Sequence, residues 1–290
     1  MKKTKRSCTH ETAKTKNKPS GPQNQKIEDV MSHEVVTIAP ENTLYDAARI
    51  MGEQHIGSLI VVKYDTAVGI ITERDLLREV ADKEIALEKD WLVGGVSIKE
   101  KTVEEVMSYP LIKISMKASV KEAARMMLEK KIRRIAVSDE GRVVGIITAA
   151  DLIRCIPETP EDMDLWFEVD YFMRRNITSV DEETSVEDVA KVMGEKRVGS
   201  VIVTRNGEPT GIFTERDLLT KFLAEDRSLK IEVGKACSSP LITGTLGINI
   251  HGAATIMTTK HIKRLPIAKD GKLVGILSAR DLVEAYARAK

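Results

Sequence analysis

Four times in this chain a glycine is followed, across two apolar residues, by a hydroxyl residue and then, three positions on, by an aspartate. The copies run Gly69 to Asp75, Gly145 to Asp151, Gly211 to Asp217 and Gly275 to Asp281, with Thr72, Thr148, Thr214 and Ser278 as the hydroxyls. A carboxylate can accept from two neighbouring hydroxyls at once, so these aspartates suit a vicinal diol. A hydroxyl one turn earlier, at a helix start, suits an anionic oxygen. The same pair also has a purely structural reading, with the hydroxyl as N-cap and the acid as a first-turn carboxylate. Basic residues stand nearby: Arg74, Arg216 and Arg280 directly before three of the aspartates, and Arg133, Arg134, Lys263 and Arg264 upstream of two of them. Arginine is well shaped for phosphate.

The elements that must hold these residues recur with them. Met31, Met107, Met173 and Cys237 each precede the motif glycine of their copy by 38 positions, so the copies align column by column without insertion. Six positions past each anchor, in a short β-prone segment, lie Thr37, Lys113, Ser179 and Thr243. Twelve past it lie Thr43, Ser119, Ser185 and Asn249, helix N-caps by type. Asp46, Glu122 and Asp188 complete three capping boxes. An amphipathic helix follows, then two β-branched runs joined by a tight turn (Asn206-Gly207 and Asp270-Gly271 among them), then a second helix opening at the aspartate. Each unit therefore reads β-α-β-β-α. A unit this small cannot bury enough surface alone, so pairing is expected.

The order of the copies is A-B-A-B. Gly57-Ser58 and Gly199-Ser200 in copies one and three align with Arg133-Arg134 and Lys263-Arg264 in copies two and four, and only the odd copies read Thr-Glu-Arg-Asp. The expected divisions are a basic, disordered tail (1–25), a first module (26–156, with units 26–82 and 102–156), a linker (157–168) and a second module (169–290, with units 169–225 and 232–288).

This pattern resembles the CBS-domain family: four CBS motifs arranged as two tandem, pseudo-two-fold Bateman modules of α/β (α+β) class. The arrangement is similar to the gamma subunit of AMP-activated kinase and to free-standing archaeal CBS proteins. The resemblance implies clefts between paired motifs that take AMP, ADP, ATP or S-adenosylmethionine. It implies that Asp75, Asp151, Asp217 and Asp281 bind the ribose diol, and that Thr72, Thr148, Thr214 and Ser278 bind a ribose or phosphate oxygen. Backbone near Thr37, Lys113, Ser179 and Thr243 would read the purine edge. Ile70, Ile146, Ile212 and Ile276 would wall the cleft, and Arg74, Arg133, Arg134, Arg216, Lys263, Arg264 and Arg280 would meet phosphate. Departures from the pattern, namely Lys113 and Ala150 in copy two and Cys237, Gly244, Gly247 and Gly252 in copy four, imply unequal sites. The Asp75 and Asp217 clefts are expected to bind most tightly.

Composition narrows the remaining classes. With 42% hydrophobic and 31% charged residues, and no apolar run near the ~20 residues needed to span a bilayer, a cytoplasmic protein without membrane partners is expected. Cys8, Cys155 and Cys237 are far apart and unpaired by spacing, against a disulfide framework or zinc ribbon. His33, His55, His251 and His261 have neither nucleophile nor metal-spaced partners, so neither an enzyme, nor a metal, nor a catalytic cofactor is expected. The expected role is a regulator that signals to a protein partner or a second copy of itself. Eight of the first 26 residues are Lys or Arg against Glu11 alone. That tail reads as a solubilising extension, with nucleic-acid contact as the alternative.

Overall fold

The computed structural model describes residues 25–81, 98–156 and 169–288. The expected linker and nearly all of the basic tail lie outside the described residues. Gln25, the last tail residue by the sequence reading, already accepts a backbone hydrogen bond from Val120 at 2.9 Å.

Copy one is built from β1 (Thr37–Ile38), α1 (Leu44–Glu53), β2 (Ser58–Lys63), β3 (Thr66–Thr72) and α2 (Glu73–Ala81). Copy two has a lead-in helix α3 (Val103–Val106), then β4 (Lys113–Ser115), α4 (Val120–Glu129), β5 (Arg134–Asp139), β6 (Arg142–Thr148) and α5 (Ala149–Ile153). Copy three runs β7 (Ser179–Asp181), α6 (Val186–Glu195), β8 (Ser200–Arg205), β9 (Glu208–Thr214) and α7 (Glu215–Leu218), which continues as a π-helical turn (Leu219–Leu223). Copy four runs β10 (Gly244–Thr245), α8 (Ile250–Thr259), β11 (Arg264–Lys269), β12 (Lys272–Ser278) and α9 (Ala279–Arg288). Each copy forms one three-stranded sheet in which the short first strand pairs parallel to the second and the hairpin pairs antiparallel.

Local chemistry sets these boundaries. Thr43 and Ser119 close full capping boxes with Asp46 and Glu122. Ser185 accepts from Asp188 N, and Asn249 caps α8 by accepting from Gly252 N at 2.7 Å with no acid in support. The hairpins turn on two residues of positive φ, Glu140-Gly141, Asn206-Gly207 and Asp270-Gly271, and in copy one Tyr64-Asp65 without any glycine. That is the geometry a two-residue loop needs to match strand twist.

The copies are joined in two different ways. Within each expected module the lead segments are exchanged: Ser108 pairs with Ile70 of copy one, while Ser32 of copy one pairs with Ile146 of copy two. Ser238 with Ile212 and Arg174 with Ile276 repeat this in copies three and four. The sulfur-bearing anchor follows its segment across. A Cβ built on Gly69 would lie 2.8 Å from Met107 Sδ, and one on Gly145 would lie 2.7 Å from Met31 Sδ. Between modules the joint is apolar. One core cluster holds Leu44, Met51, Leu76 and Val80 of copy one with Val186, Met193, Phe213 and Phe222 of copy three. The other joins Met127, Ile147 and Leu152 of copy two to Met257, Leu277 and Leu282 of copy four. Small residues let the odd helices close in, since a Cβ on Gly52 would meet Ala224 Cβ at 2.4 Å and one on Gly194 would meet Ala81 Cβ at 2.2 Å. The same column carries Leu128 and Thr258 in the even copies.

Candidate functional site: four clefts around a charged centre

Each motif aspartate sits where a strand ends and a helix begins, and the four are held alike. The backbone N–H and the hydroxyl of Thr72 donate to Asp75 Oδ2 at 2.9 and 2.7 Å. Thr148 does so to Asp151 and Thr214 to Asp217 at the same two distances, and Ser278 to Asp281 at 2.7 and 2.6 Å. One carboxylate oxygen is thus committed to closing the helix start, which is the structural role the sequence allowed for. The other oxygen faces a cation of the following helical turns in three of the copies. Arg78 lies 3.8 Å from Asp75 Oδ1, Arg154 lies 3.4 Å from Asp151 Oδ1, and Lys221 lies 2.7 Å from Asp217 Oδ1. Asp75, Asp217 and Asp281 are buried. Burial pushes the Asp75 carboxyl above the usual aspartate range, against the hydrogen bonds from Thr72.

A cleft opens at every aspartate, lined on one side by its own motif and on the other by the paired copy. Ile70, Thr72 and Asp75 face Leu111, Ile112 and Lys131 to Arg134 across about 280 Å³. Ile146, Thr148 and Asp151 face Val35, Val36 and His55 to Ser58 across about 490 Å³. Ile212, Thr214 and Asp217 face Ser238 and His261 to Arg264 across about 320 Å³. Ile276, Ser278 and Asp281 face Ile177, Thr178 and Arg197 to Ser200 across about 150 Å³. The last is narrowest, and there copy three places Arg174 in the column where the other copies have Ser32, Ser108 and Ser238. The largest cleft belongs to Asp151, not to the Asp75 and Asp217 sites expected to bind most tightly.

The backbone next to the expected purine-edge column lines three of the clefts. Thr37 and Ser179 are strand residues paired with Ile60 and Ile202, and the cleft walls are made by the residues just before them, Val35 and Val36 in one case and Ile177 and Thr178 in the other. Lys113 likewise stands one past Ile112, paired with Ala136. Thr243 is not among the residues lining the Asp217 cleft. The first strand begins later than the β-prone run suggests, so the backbone facing each cleft comes from the extended approach to it.

The clefts meet at a centre that the sequence reading described only in part. Arg74 Nε donates to Glu215 Oε1 at 2.8 Å, and Arg216 Nε donates to Glu73 Oε1 at 2.8 Å. Arg133 Nη2 reaches Glu215 Oε2 at 3.1 Å and Arg264 Nη2 lies 3.8 Å from the same oxygen, while Arg134 Nη2 reaches Glu73 Oε2 at 3.5 Å. Glu73 and Glu215 are buried. Burial would raise both, but the surrounding cations outweigh it. Arg134, Lys263 and Arg216 hold Glu73 below the usual range, and Arg133, Arg264 and Arg74 hold Glu215 at about 2. Burial, reinforced by neighbouring cations, pulls Arg264 down to about 10 and Lys263 down to about 8. Lys263 still borders the open space of the Asp151 and Asp217 clefts.

Glu73 and Glu215 are the residues that sequence reasoning missed. The signal was present in the alternation: glutamate in the odd copies aligns with Ala149 and Ala279 in the even ones, while Arg133-Arg134 and Lys263-Arg264 of the even copies align with Gly57-Ser58 and Gly199-Ser200 in the odd ones. Space explains the second pairing, since a Cβ on Gly57 would fall 2.3 Å from Arg134 Nη2 and one on Gly199 would fall 2.3 Å from Arg264 Nη2. Among the described residues no group of three or more His, Cys, Asp or Glu could hold a metal, and no helix is long and apolar enough to cross a membrane.

Tandem β-α-β-β-α units, exchanging lead segments and opening a cleft at each motif aspartate, define a class of repeat proteins built around ligand-sized clefts. The CBS-domain model matches residues 27–82, 103–158, 168–224 and 233–288, and the chain belongs to the CBS-domain family. Across 90% of this chain and 99% of the other, the fold is like that of protein MJ1225 from Methanocaldococcus jannaschii, described as a candidate archaeal homolog of g-AMPK, at a TM-score of 0.73 and 21% identity. Protein MJ1404 of the same organism is 26% identical over 286 residues, 92% of this chain and 63% of its own length. Protein MK0525 of Methanopyrus kandleri is 33% identical over 133 residues, 45% of this chain and 62% of its own length. The chain thus spans somewhat under two thirds of the length of those two relatives.

Proposed function

We propose that the chain is a non-catalytic regulator that binds adenosine nucleotides in the clefts between paired CBS motifs and reports their occupancy to a protein partner or to a second copy of itself. The observation that carries this reading is the convergence of the clefts on a centre where six cations (Arg74, Arg133, Arg134, Arg216, Lys263, Arg264) face two carboxylates (Glu73, Glu215), an excess of four positive charges. A ligand with a diol at one end and anionic oxygens at the other matches an aspartate at the rim and arginines at the centre. The likeness of fold to the archaeal g-AMPK homolog supports the same reading at the level of architecture.

Calorimetry of the full chain against AMP, ADP, ATP, S-adenosylmethionine and NADH, with RNA as outgroup, tests it. Saturable binding of an adenosine ligand is the expected result. Salt-sensitive RNA binding that disappears on deleting residues 1–25, with no adenosine binding, would replace this reading with nucleic-acid recognition by the tail.

A further inference from the structure

The central arginines already have partners within the chain: each of Arg74, Arg133, Arg134, Arg216 and Arg264 lies within 4.0 Å of a carboxylate oxygen of Glu73 or Glu215. Those two glutamates are the first residues of α2 and α7, they are contributed by opposite modules, and they are the only acidic residues among those lining the Asp217 cleft besides Asp217 itself. Arg133 and Arg134 also line the Asp75 cleft, and Arg133 and Arg264 the Asp281 cleft, so the same cations are open to ligand from more than one direction. Any anion that enters must share these guanidinium groups with a carboxylate that cannot leave.

We propose that Glu73 and Glu215 are built-in counter-anions that set the charge specificity of the centre, limiting how much phosphate charge it admits and so narrowing the advantage that ligands with more phosphates have over those with fewer. This deepens the adenosine-nucleotide reading and rests on it for the identity of the natural ligand, but the charge limit itself holds for any polyanion. The physical basis is Coulombic. Two fixed negative charges reduce the net attraction for every further negative charge, and the penalty grows with ligand charge because each phosphate meets the same repulsion. The even copies show what the position looks like without this device, since Ala149 and Ala279 occupy it there and both are buried at the start of a helix.

The test is calorimetric titration of wild type, E73Q, E215Q and the double variant with AMP, ATP and inorganic tripolyphosphate at fixed ionic strength. The expected result is that tripolyphosphate and ATP tighten by about tenfold or more in the double variant while AMP gains less, each single variant lying between. Equal changes for all three ligands, or weaker binding of all three, would overturn the charge limit and leave the glutamates as residues that merely orient arginines. Should the double variant not fold, E73Q, which loses two arginine contacts, reads the same selectivity change at half the charge. Should wild type bind tripolyphosphate but no adenosine ligand, the variants still decide the charge limit with the inorganic probe, and only the adenosine reading falls.

Discussion

Arg74 of copy one donates from Nε to Glu215 Oε1 of copy three at 2.8 Å, tying the first module to the second at the centre of the molecule. Glu215 keeps two further partners, Arg133 and Arg264, when Arg74 is lost. Replacing Arg74 with Ala should therefore cost about 1–2 kcal/mol, less than the 3–5 kcal/mol of a buried carboxylate left wholly unpaired. Denaturant unfolding measures it. A loss above about 4 kcal/mol would mean that the other two arginines do not compensate.

Glu215 gives the molecule an acid limit. Its carboxyl is held at about 2 against an ordinary 4.5. With the folded value depressed, the stabilisation is present in full above pH 4.5 and is lost as the pH falls toward 2. Acid unfolding followed by circular dichroism should show a limb in that window, and E215Q should flatten it. An unchanged limb would assign the acid sensitivity to other carboxylates.

Lys263 should make anion binding sensitive to alkali. Its ammonium titrates near 8 instead of 10.5, so the charge is lost as the pH rises through 8. Affinity for ATP should fall by about tenfold between pH 7 and pH 9, and K263M should be weaker at pH 7 but nearly flat across the same range. A wild-type affinity that does not move with pH would remove Lys263 from contact with the ligand.

Asp217 has two roles that can be separated. Oδ2 serves the helix start while Oδ1 lies toward Lys221 and Ser238. D217A should lose about 1 kcal/mol of stability with the cap and, independently, about 1.5–3 kcal/mol of nucleotide affinity, a factor of about 10 to 150. A stability loss with unchanged affinity in the folded variant would leave the residue purely structural.

Gly57 should tolerate no side chain without disturbing the centre. A Cβ there meets Arg134 Nη2 at 2.3 Å and the Glu73 carboxylate at 2.8 Å. G57A should cost about 1–3 kcal/mol and displace the arginine, which thermal melting and a crystal structure of the variant would report. Full stability with Arg134 in place would contradict the close packing described.

Much of this was legible because the repeat carries its own controls. The capping boxes at Thr43 and Ser119, the glycine turns and the aspartates at helix starts depend on neighbours a few residues away, and short-range chemistry is readable along the chain. The isoleucines of the motif were placed at the cleft by the family resemblance alone, and Ile70, Ile146, Ile212 and Ile276 each line one. Which residue of the approach to each first strand faces the cleft was not legible, because strand limits are set by the partner strand: Thr37 pairs with Ile60, and nothing local announces where that ladder begins. Glu73 and Glu215 are not legible in this way because their partners lie 49 to 143 positions away along the chain. The alternation showed that they differed between copies, but only the fold shows what they face.

The apolar joint between modules has a consequence for any half of this chain taken alone. A fragment ending near residue 156 keeps both exchanged lead segments, and with them its backbone pairing, yet uncovers the faces of α1, α2, α4 and α5 that the other half buries. Copies one and three match at some of the residues that meet there, Gly52 with Gly194, Met51 with Met193 and Leu76 with Leu218, while Ile71 and Val80 stand where copy three has Phe213 and Phe222. Such a fragment already carries an apolar face of the same backbone plan as its missing counterpart's, with part of the same residues. It should therefore associate with itself around a two-fold axis, a symmetric homodimer in which the covalent tie of the linker is replaced by concentration.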